Sequence, residues 1–477
     1  MATALEVVVV GGSAAGLVTS LLLARAGHTV VVVEQESRQI ANDVESAAKS
    51  AFRLTAPHIV QPHAVMARCR ELLIERLPDI YAQLLAAGVC EAPLSTQMPA
   101  SLPDTAFRPG DERLTFLMSR RATIDWVLQR ATFAEARVTM RRGLRVTGLL
   151  AQGGEAPHVT GIRTGEGNIS ADLVVDATGY RSPIDRWLEE IGAQPAPTLR
   201  AECGLAYFGR QYRLRPGLKS PGPPTTRLVV GLDEFTVGIW GGDNGSVQMA
   251  LVPLAKDHRF KTLRYPEVFT RVLRTLPSYA AWLDVLDPIS EVFPMGAVQN
   301  TLRRFVVGGS PVVTGLVAVG DSVCTTNPTL GRGLTFALRG AADLLDVIDR
   351  HGDDRTAQAL AMDKMVSEHI LPFYQDQIAI DCARLATLQH TIFNGPAPAP
   401  TPSISVRVTF AQLRAAAIFD PIAFRAFWKI MGMIVRPEEV YTDPEIVSRT
   451  HASLDQHGSG PFMTQPTREE LLAALAR

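Results

Sequence analysis

Lysine is scarce in this chain: six residues among 47 basic ones. That is a composition bias and carries no chemistry. Net charge is also nearly absent, with Lys+Arg 47 against Asp+Glu 48 and a formal charge of -1. A protein held to nucleic acid by phosphate neutralisation is excluded by that balance, and no polybasic stretch exists to grip an anionic membrane. The five cysteines (Cys69, Cys90, Cys203, Cys324, Cys382) are odd in number and lack metal-ligand spacing. A disulfide framework and a zinc site are therefore not expected, no metal is assigned, and a reducing, cytoplasmic setting fits best. No apolar run approaches the ~18 residues of a membrane span. Met1 to Glu6 has no positive region and Val7–Val10 is too short for a signal peptide. HExxH, GxSxG, paired-cysteine motifs and internal repeats are missing too, which removes the commonest hydrolytic and metal chemistries.

What remains is an ordinary globular composition, 46% hydrophobic and 20% charged over 477 residues. At ~150 residues per domain the length suggests two or three domains. Val7–Val10 is a β-branched run of the kind buried on both faces of a parallel sheet. Gly11-Gly12-Ser13-Ala14-Ala15-Gly16 follows as a turn. Leu17–Ala26 then forms an almost uncharged helix capped by Gly27, and Thr29–Val33 a second strand closed by Glu34. This is a variant of the G-x-G-x-x-G dinucleotide fingerprint. Gly11 permits the sharp strand-to-helix turn, Gly16 lets helix and strand pack closely, and Ser13 stands for the middle glycine. A diphosphate would sit on the free N–H groups at the helix start, including those of Ala14 and Ala15, and Glu34 would take ribose hydroxyls.

Farther along, Ala64–Leu85 has helical periodicity, residues 91–112 look like a Pro-, Ser- and Asp-rich excursion over the surface, and Arg120–Thr132 is helical. Val138–Leu149, Val159–Arg163 and Leu173–Ala177 read as strands. Between 200 and 310 the pattern turns to alternation: Gly204–Leu214, Thr226–Leu232, Phe235–Trp240 and Ser246–Val252 read as antiparallel strands, interrupted by a helical stretch at Tyr265–Leu283. Leu316–Val319 returns to the buried-strand type, 334–351 is a helix, and the remainder is mostly helical.

Two later segments separate FAD from NAD by resemblance. Asp176-Ala177-Thr178-Gly179-Tyr180-Arg181-Ser182 resembles the D-A-T-G-x-x-S stretch of FAD-dependent monooxygenases of the aromatic-hydroxylase superfamily. Gly320-Asp321 through Pro328, Gly331 and Gly333 resembles that family's G-D-A-x-x-x-x-x-P-x-x-G-x-G. The resemblance covers residues 1–350. It implies an α/β protein with a Rossmann-type FAD-binding domain (1–190 and 301–350), an α+β substrate domain with a mostly antiparallel sheet (191–300) and a C-terminal helical cap (351–477). In the third motif Asp321 can accept hydrogen bonds from a ribityl chain. Pro328 offers a flat apolar face to an isoalloxazine. Gly331, Arg332, Gly333 and Leu334 start a helix whose N-terminus can stabilise a reduced flavin. Pro328, Gly331, Gly333 and His63 are the residues assigned to catalysis; Asp176, Gly179, Gly320 and Arg121 join the cofactor set.

Smaller features follow. Arg121-x-x-x-Asp125 resembles the family's R-x-x-x-[DE], whose arginine reaches the flavin side. Pro57–His63 resembles the P-Q-x-x-H-x-H segment of an actinobacterial-type branch of tailoring oxygenases and epoxidases, although His58 and Gln61 depart from it; His63 either borders the flavin or is structural. Alternation places Tyr207, Gly209 and Gln211 on one strand face and Phe208, Arg210 and Tyr212 on the other. Tyr207, Gln211, Trp240, Phe293 and Met295 are candidates for the substrate wall, or plain core. The apolar stretch with Phe410, Leu413, Ile418, Phe419, Phe424, Phe427 and Trp428 is core, a dimer surface or an interfacial contact.

A second dinucleotide fingerprint is missing, so NAD(P)H is expected to deliver electrons transiently at the same cleft or through a separate flavin reductase. The resemblance implies oxygen insertion from O2, through a flavin C4a-(hydro)peroxide, into an organic, apolar small molecule. Reduction of isoprenoid-like double bonds is the alternative. A flavin-dependent halogenase is a more distant one, with Lys49 as the seat for its lysine and no W-x-W-x-I-P stretch.

Overall fold

The computed structural model describes residues 4–221, 229–296, 298–397, 406–460 and 463–477. The β-branched runs form a parallel sheet in the order Leu316–Ala318, Leu173–Asp176, Glu6–Val10, Thr29–Glu34, Val138–Arg142. Helix Ala14–Arg25 is buried for most of its length, which accounts for its lack of charge, and packs with helix Gly333–His351. A meander of Val146–Gln152, His158–Thr164 and Gly167–Ser170 lies beside this sheet.

The alternating segments form an antiparallel sheet in the order Val229–Gly231, Phe235–Gly241, Ser246–Pro253, Tyr207–Leu214, Leu286–Pro288, with Phe293–Met295 also paired to Tyr207–Leu214. The part of the expected Thr226–Leu232 strand before Val229 lies outside the described residues. One face of this sheet, including Phe208 and Tyr212, packs on helices Pro266–Arg274 and Pro277–Leu283. The opposite face, at Gly209 and Gln211, meets the segment around Gln61: a Cβ added at Gly209 would lie 3.0 Å from Pro62 Cδ, and Gln211 Nε2 donates to Val60 O at 3.3 Å. A linking sheet of Thr198–Glu202, Gln299–Arg303 and Cys324–Thr325 joins the two regions.

Several stretches differ from expectation. Val138–Leu149 is two strands in different sheets, Val138–Arg142 and Val146–Gln152, and Tyr265–Leu283 is broken at Pro277 into two helices. Ala64–Leu85 is a short strand, Ala64–Val65, and two helices, Ala67–Arg76 and Pro78–Ala86, because Pro78 starts a new helix and cannot continue the old one. Residues 91–112 are no mere surface excursion. Leu94 and Leu102 are buried, and Asp111 forms a buried ion pair with Arg425 at 2.8 Å, docking this segment on helix Pro421–Met431. Its apolar residues have no period, so the prolines around them dominate the sequence pattern. The C-terminal aromatic stretch is core: Phe410, Leu413, Phe424, Phe427 and Trp428 are buried in one cluster, and Phe419 stacks on His457. No helix among the described residues is long and apolar enough to cross a membrane.

Candidate cofactor cleft and adjoining cavity

The three glycine-bearing bends lie at the C-terminal ends of adjacent parallel strands, where open α/β sheets form their ligand crevice. They touch one another. Gly11 has φ +111°, and a Cβ there would lie 2.4 Å from Ala177 O; at Gly16 it would lie 1.9 Å from Gly11 O. At Gly320 it would meet Ala15 Cβ at 2.8 Å. Ser322 Oγ accepts from Gly179 N at 2.9 Å and donates to Asp176 Oδ1 at 3.2 Å.

Asp176 therefore acts as a brace. It is fully buried, and it also accepts from Thr178 N, Thr178 Oγ1 and Ser182 Oγ at 2.6–2.9 Å. Its carboxylate is engaged within the protein, and Gly179 spends its N–H on Ser322. Arg332 is likewise turned away. Its guanidinium is buried against Asp376 and the Phe373 carbonyl, so its side chain ties the third bend to helix Leu371–Phe393. The roles that sequence suggests for Asp176 and Arg332 are thus corrected at the side-chain level: both join protein to protein.

The start of helix Ala14–Arg25 is open. Ser13 is its N-cap, yet its hydroxyl makes no capping bond and accepts from Arg53 Nη2 at 3.2 Å. Gly12 N donates to Glu34 Oε2 at 2.7 Å, so Glu34 stands beside the bend. Arg53 also pairs with Asp125 at 3.1 Å, and Arg121 Nε reaches the other Asp125 oxygen at 2.7 Å. Burial alone would raise the Asp125 pKa; Arg121 and Arg53 outweigh it and hold the carboxyl below its ordinary range. Arg121 is 8% exposed, so it is no solvated helix-start arginine. A bend that admits only glycine at Gly11 and Gly16, an uncapped helix start and an arginine on its N-cap hydroxyl fit a diphosphate, and the residues around the three bends fit FAD.

Farther along, burial raises the Asp321 carboxyl to about 6, with Arg121 opposing. A Cβ at Gly333 would lie 3.7 Å from Asp321 Oδ1, which sets that carboxyl at the start of helix Gly333–His351. Leu334 is buried in the core below. Gly331 has φ +67° and presses on Met66, beside the strand that follows His63. Pro328 is exposed on the same bend. His63 Nδ1 bonds the Gln61 carbonyl at 2.8 Å, and its ring lies 6.2 Å from that of His58. Burial, then the Arg121 charge, lowers His58 to about 3 and His63 to about 4. Both imidazoles are neutral at ordinary pH.

The third bend is anchored from behind. Tyr207 Oη donates to Asn327 Oδ1, and Asn327 Nδ2 donates to Asp381 at 2.6 Å. Asp381 also accepts from Asn300 at 2.7 Å and Gln377 at 3.0 Å. Burial raises its carboxyl to about 6 against those bonds.

A cavity of about 1380 Å³ adjoins this bend, with Thr329 and Leu330 in its wall. Helix Leu371–Phe393, the antiparallel sheet and the C-terminal helices enclose the rest. None of the expected wall residues lines it. Tyr207 and Gln211 spend their polar ends on Asn327 and Val60. Trp240 and Met295 pack with the cluster around Leu205, and Phe293 stacks on Phe52 at 5.9 Å. Trp240 shares the strand Phe235–Gly241 with Thr236, which does line the cavity. Lys49 is exposed at the end of helix Val44–Lys49. No cluster of three or more His, Cys, Asp or Glu side chains that could hold a metal occurs among the described residues.

Sequence reasoning missed Arg53 and did not assign His58 or Asp381. Arg53 lies in a stretch without regular secondary structure, and no motif marks it.

Comparison with known proteins agrees with this geometry. A family described as FAD binding domain matches residues 4–46. Protein Rv3254 of Mycobacterium tuberculosis is 26% identical over 372 residues, 71% of each chain. Among solved structures, the probable FAD-dependent monooxygenase PqsL of Pseudomonas aeruginosa shares the fold with a TM-score of 0.58 and 17% identity, over 82% of this chain and 99% of that one. The flavin-dependent brominase Bmp2 does so with a TM-score of 0.60 and 14% identity, over 95% and 100%. The chain thus carries an N-terminal FAD-binding domain within an architecture it has in common with these flavin-dependent structures.

Proposed function

We propose that the protein is an FAD-dependent monooxygenase that inserts one oxygen atom from O2 into an apolar organic small molecule. The observation that carries this reading is the convergence of the Gly11, Gly179 and Gly320 bends around one cleft whose third bend also walls a cavity. FAD supplies the redox and oxygen chemistry when bound. The chain supplies position and environment. Gly11, Ser13, Ala14, Ala15 and Gly16 would cradle the diphosphate with Arg53, Glu34 the ribose, and Asp321 the ribityl chain. Arg121, Pro328, Gly331, Gly333 and His63 would border the ring.

Helix Gly333–His351 points its N-terminus at the cleft, where its partial positive charge favours an anionic ring. The neutral histidines add no competing charge. The Tyr207–Asn327–Asp381 network holds the bend still, and the C-terminal helices wall one side of the cavity. Electrons would come from NAD(P)H directly or through a separate flavin reductase.

The test is turnover under ¹⁸O₂ with NADH, NADPH or a reductase-supplied flavin, using organic acids and alkenes as substrates. Label in an organic product, coupled to oxygen uptake, is expected. Oxygen reduced only to hydrogen peroxide with every substrate, or double bonds reduced without oxygen uptake, would overturn the proposal.

A further inference from the structure

The cavity wall is mostly apolar, with Leu205, Leu330, Ile380, Phe427, Trp428 and Met431 in it, yet it holds two arginines that form no ion pair among the described residues. Arg384 comes from helix Leu371–Phe393 and Arg414 from helix Phe410–Ala416. Both stand over Gly231: a Cβ there would lie 3.4 Å from Arg384 Cζ and 3.6 Å from Arg414 Nη2. Arg384 Nη2 donates to Leu232 O at 2.6 Å and Phe235 O at 2.8 Å, which fixes the guanidinium, and its Nε is buried without a partner. Arg414 makes no hydrogen bond or ion pair among the described residues.

The acidic groups of the same wall are already engaged. Asp376 pairs with Arg332, and Asp381 accepts from three amides. Glu438 pairs with Arg407 at 2.6 Å and Glu439 with Arg436 at 2.7 Å. Asp233, exposed and outside this wall, is held by Gln465 at 2.8 Å; it attracts Arg384 but forms no ion pair with it among the described residues. The residues outside the described set include no Asp or Glu at all. Two adjacent, half-buried guanidinium groups in a mostly apolar wall, neither in an ion pair among the described residues, repel each other. Burial lowers the Arg384 pKa to about 10, Arg414 adding to the effect and Asp233 opposing it, and burial lowers Arg414 as well. Such an arrangement is costly unless an anion completes it.

The geometry points to a seat for the carboxylate of an elongated, otherwise apolar organic acid, with Arg384 and Arg414 as its two ligands. This rests on the monooxygenase reading and names the substrate class for it. A carboxylate matches the planar guanidinium fork, whereas a phosphate dianion would bring a larger desolvation cost into an apolar wall. The volume, about 1380 Å³, accommodates a long chain or several rings beyond the acid. With the carboxylate held at Gly231, the apolar body extends along Leu330 toward the bend that carries Pro328.

Calorimetric titration of the protein as isolated tests the seat without turnover. The probes are decanoate, 1-decanol and decyl phosphate. Decanoate is expected to bind about tenfold or more tightly than decanol, the worth of one charge-assisted pair. In R414M, with Arg384 alone remaining, the preference should fall several-fold, and R414K should keep more of it. R414M should melt no lower than the wild type, because it removes a half-buried charge that has no hydrogen-bond or ion-pair partner among the described residues. Equal binding of acid and alcohol to the wild type, tighter binding of decyl phosphate, an acid preference undiminished in R414M, or no binding of any probe would each overturn the assignment. A protein that takes up no FAD on titration and still prefers decanoate would sink the monooxygenase reading and leave the seat. A yellow protein with no acid preference would do the reverse.

Discussion

Replacing Gly16 by alanine tests the cleft at its tightest point. The added Cβ would lie 1.9 Å from the Gly11 carbonyl oxygen and 3.3 Å from Ala177 Cβ. The nearer neighbour is backbone, held by the Gly11 N to Val33 O hydrogen bond at 2.9 Å, so no flexible side chain can yield. Helix Ala14–Arg25 must therefore move away from its strand. Overpacking of this kind costs about 1–3 kcal/mol. The same movement lifts the helix start, and with it Ser13, from the position in which Arg53 meets it, so FAD affinity should fall about tenfold or more. A companion variant separates the two effects. Gly27 lies past the opposite end of the helix with φ +103° and nothing within 4 Å of an added Cβ. Gly27→Ala carries backbone strain of about 1–2 kcal/mol without touching the cleft. Thermal melting should place both variants below the wild type, whereas flavin absorbance after dialysis should drop only in G16A. Retention of stoichiometric, tightly bound FAD in G16A would refute the argument that this helix–strand contact shapes a cofactor site.

Other outcomes follow from the same geometry. R53M should weaken FAD binding about tenfold, read by fluorescence titration, while R186M, at an exposed arginine paired with Glu190, should leave it unchanged. Breaking the buried Asp111–Arg425 pair with R425M should destabilise the fold by about 3–5 kcal/mol in denaturant melts, because Asp111 would be left buried and charged; a loss near zero would mean that segment 91–112 does not dock the C-terminal helices. Asp381 titrates near 6 in the fold against an ordinary 3.8. The folded state holds that proton more tightly than the unfolded chain does. Its contribution therefore favours folding below pH 3.8 and is lost as pH rises toward about 6. The wild type should lose thermal stability relative to D381N across that window, and a difference that stays flat would contradict the assignment. His63 should show neutral-imidazole NMR shifts down to about pH 4.

The bends were legible because their chemistry is local. Gly11, Gly16 and Gly320 each meet a neighbour that only glycine can approach, and that need appears as a glycine at a fixed spacing. The alternation around Gly209 likewise separated Tyr207, Gly209 and Gln211 from the face of Phe208 and Tyr212 that packs on helices. What could not be read depends on distant partners. Arg53 reaches Ser13 from 40 residues away, and nothing in its own neighbourhood marks it. Asp176 looked like a cofactor ligand because its motif is; only the fold shows that its oxygens are taken by Thr178, Ser182 and Ser322. The cavity was displaced from the expected wall for a related reason. Helix Leu371–Phe393 covers the end of the sheet near Leu205, so the open volume forms between that helix and the C-terminal segment, and sequence periodicity cannot rank which buried faces meet.

The most direct measurement is the visible spectrum of the purified protein, followed by release and identification of its chromophore. The account predicts a yellow protein carrying one FAD per chain, or a colourless one that takes up one FAD on titration. A protein that remains colourless and binds no FAD would contradict it.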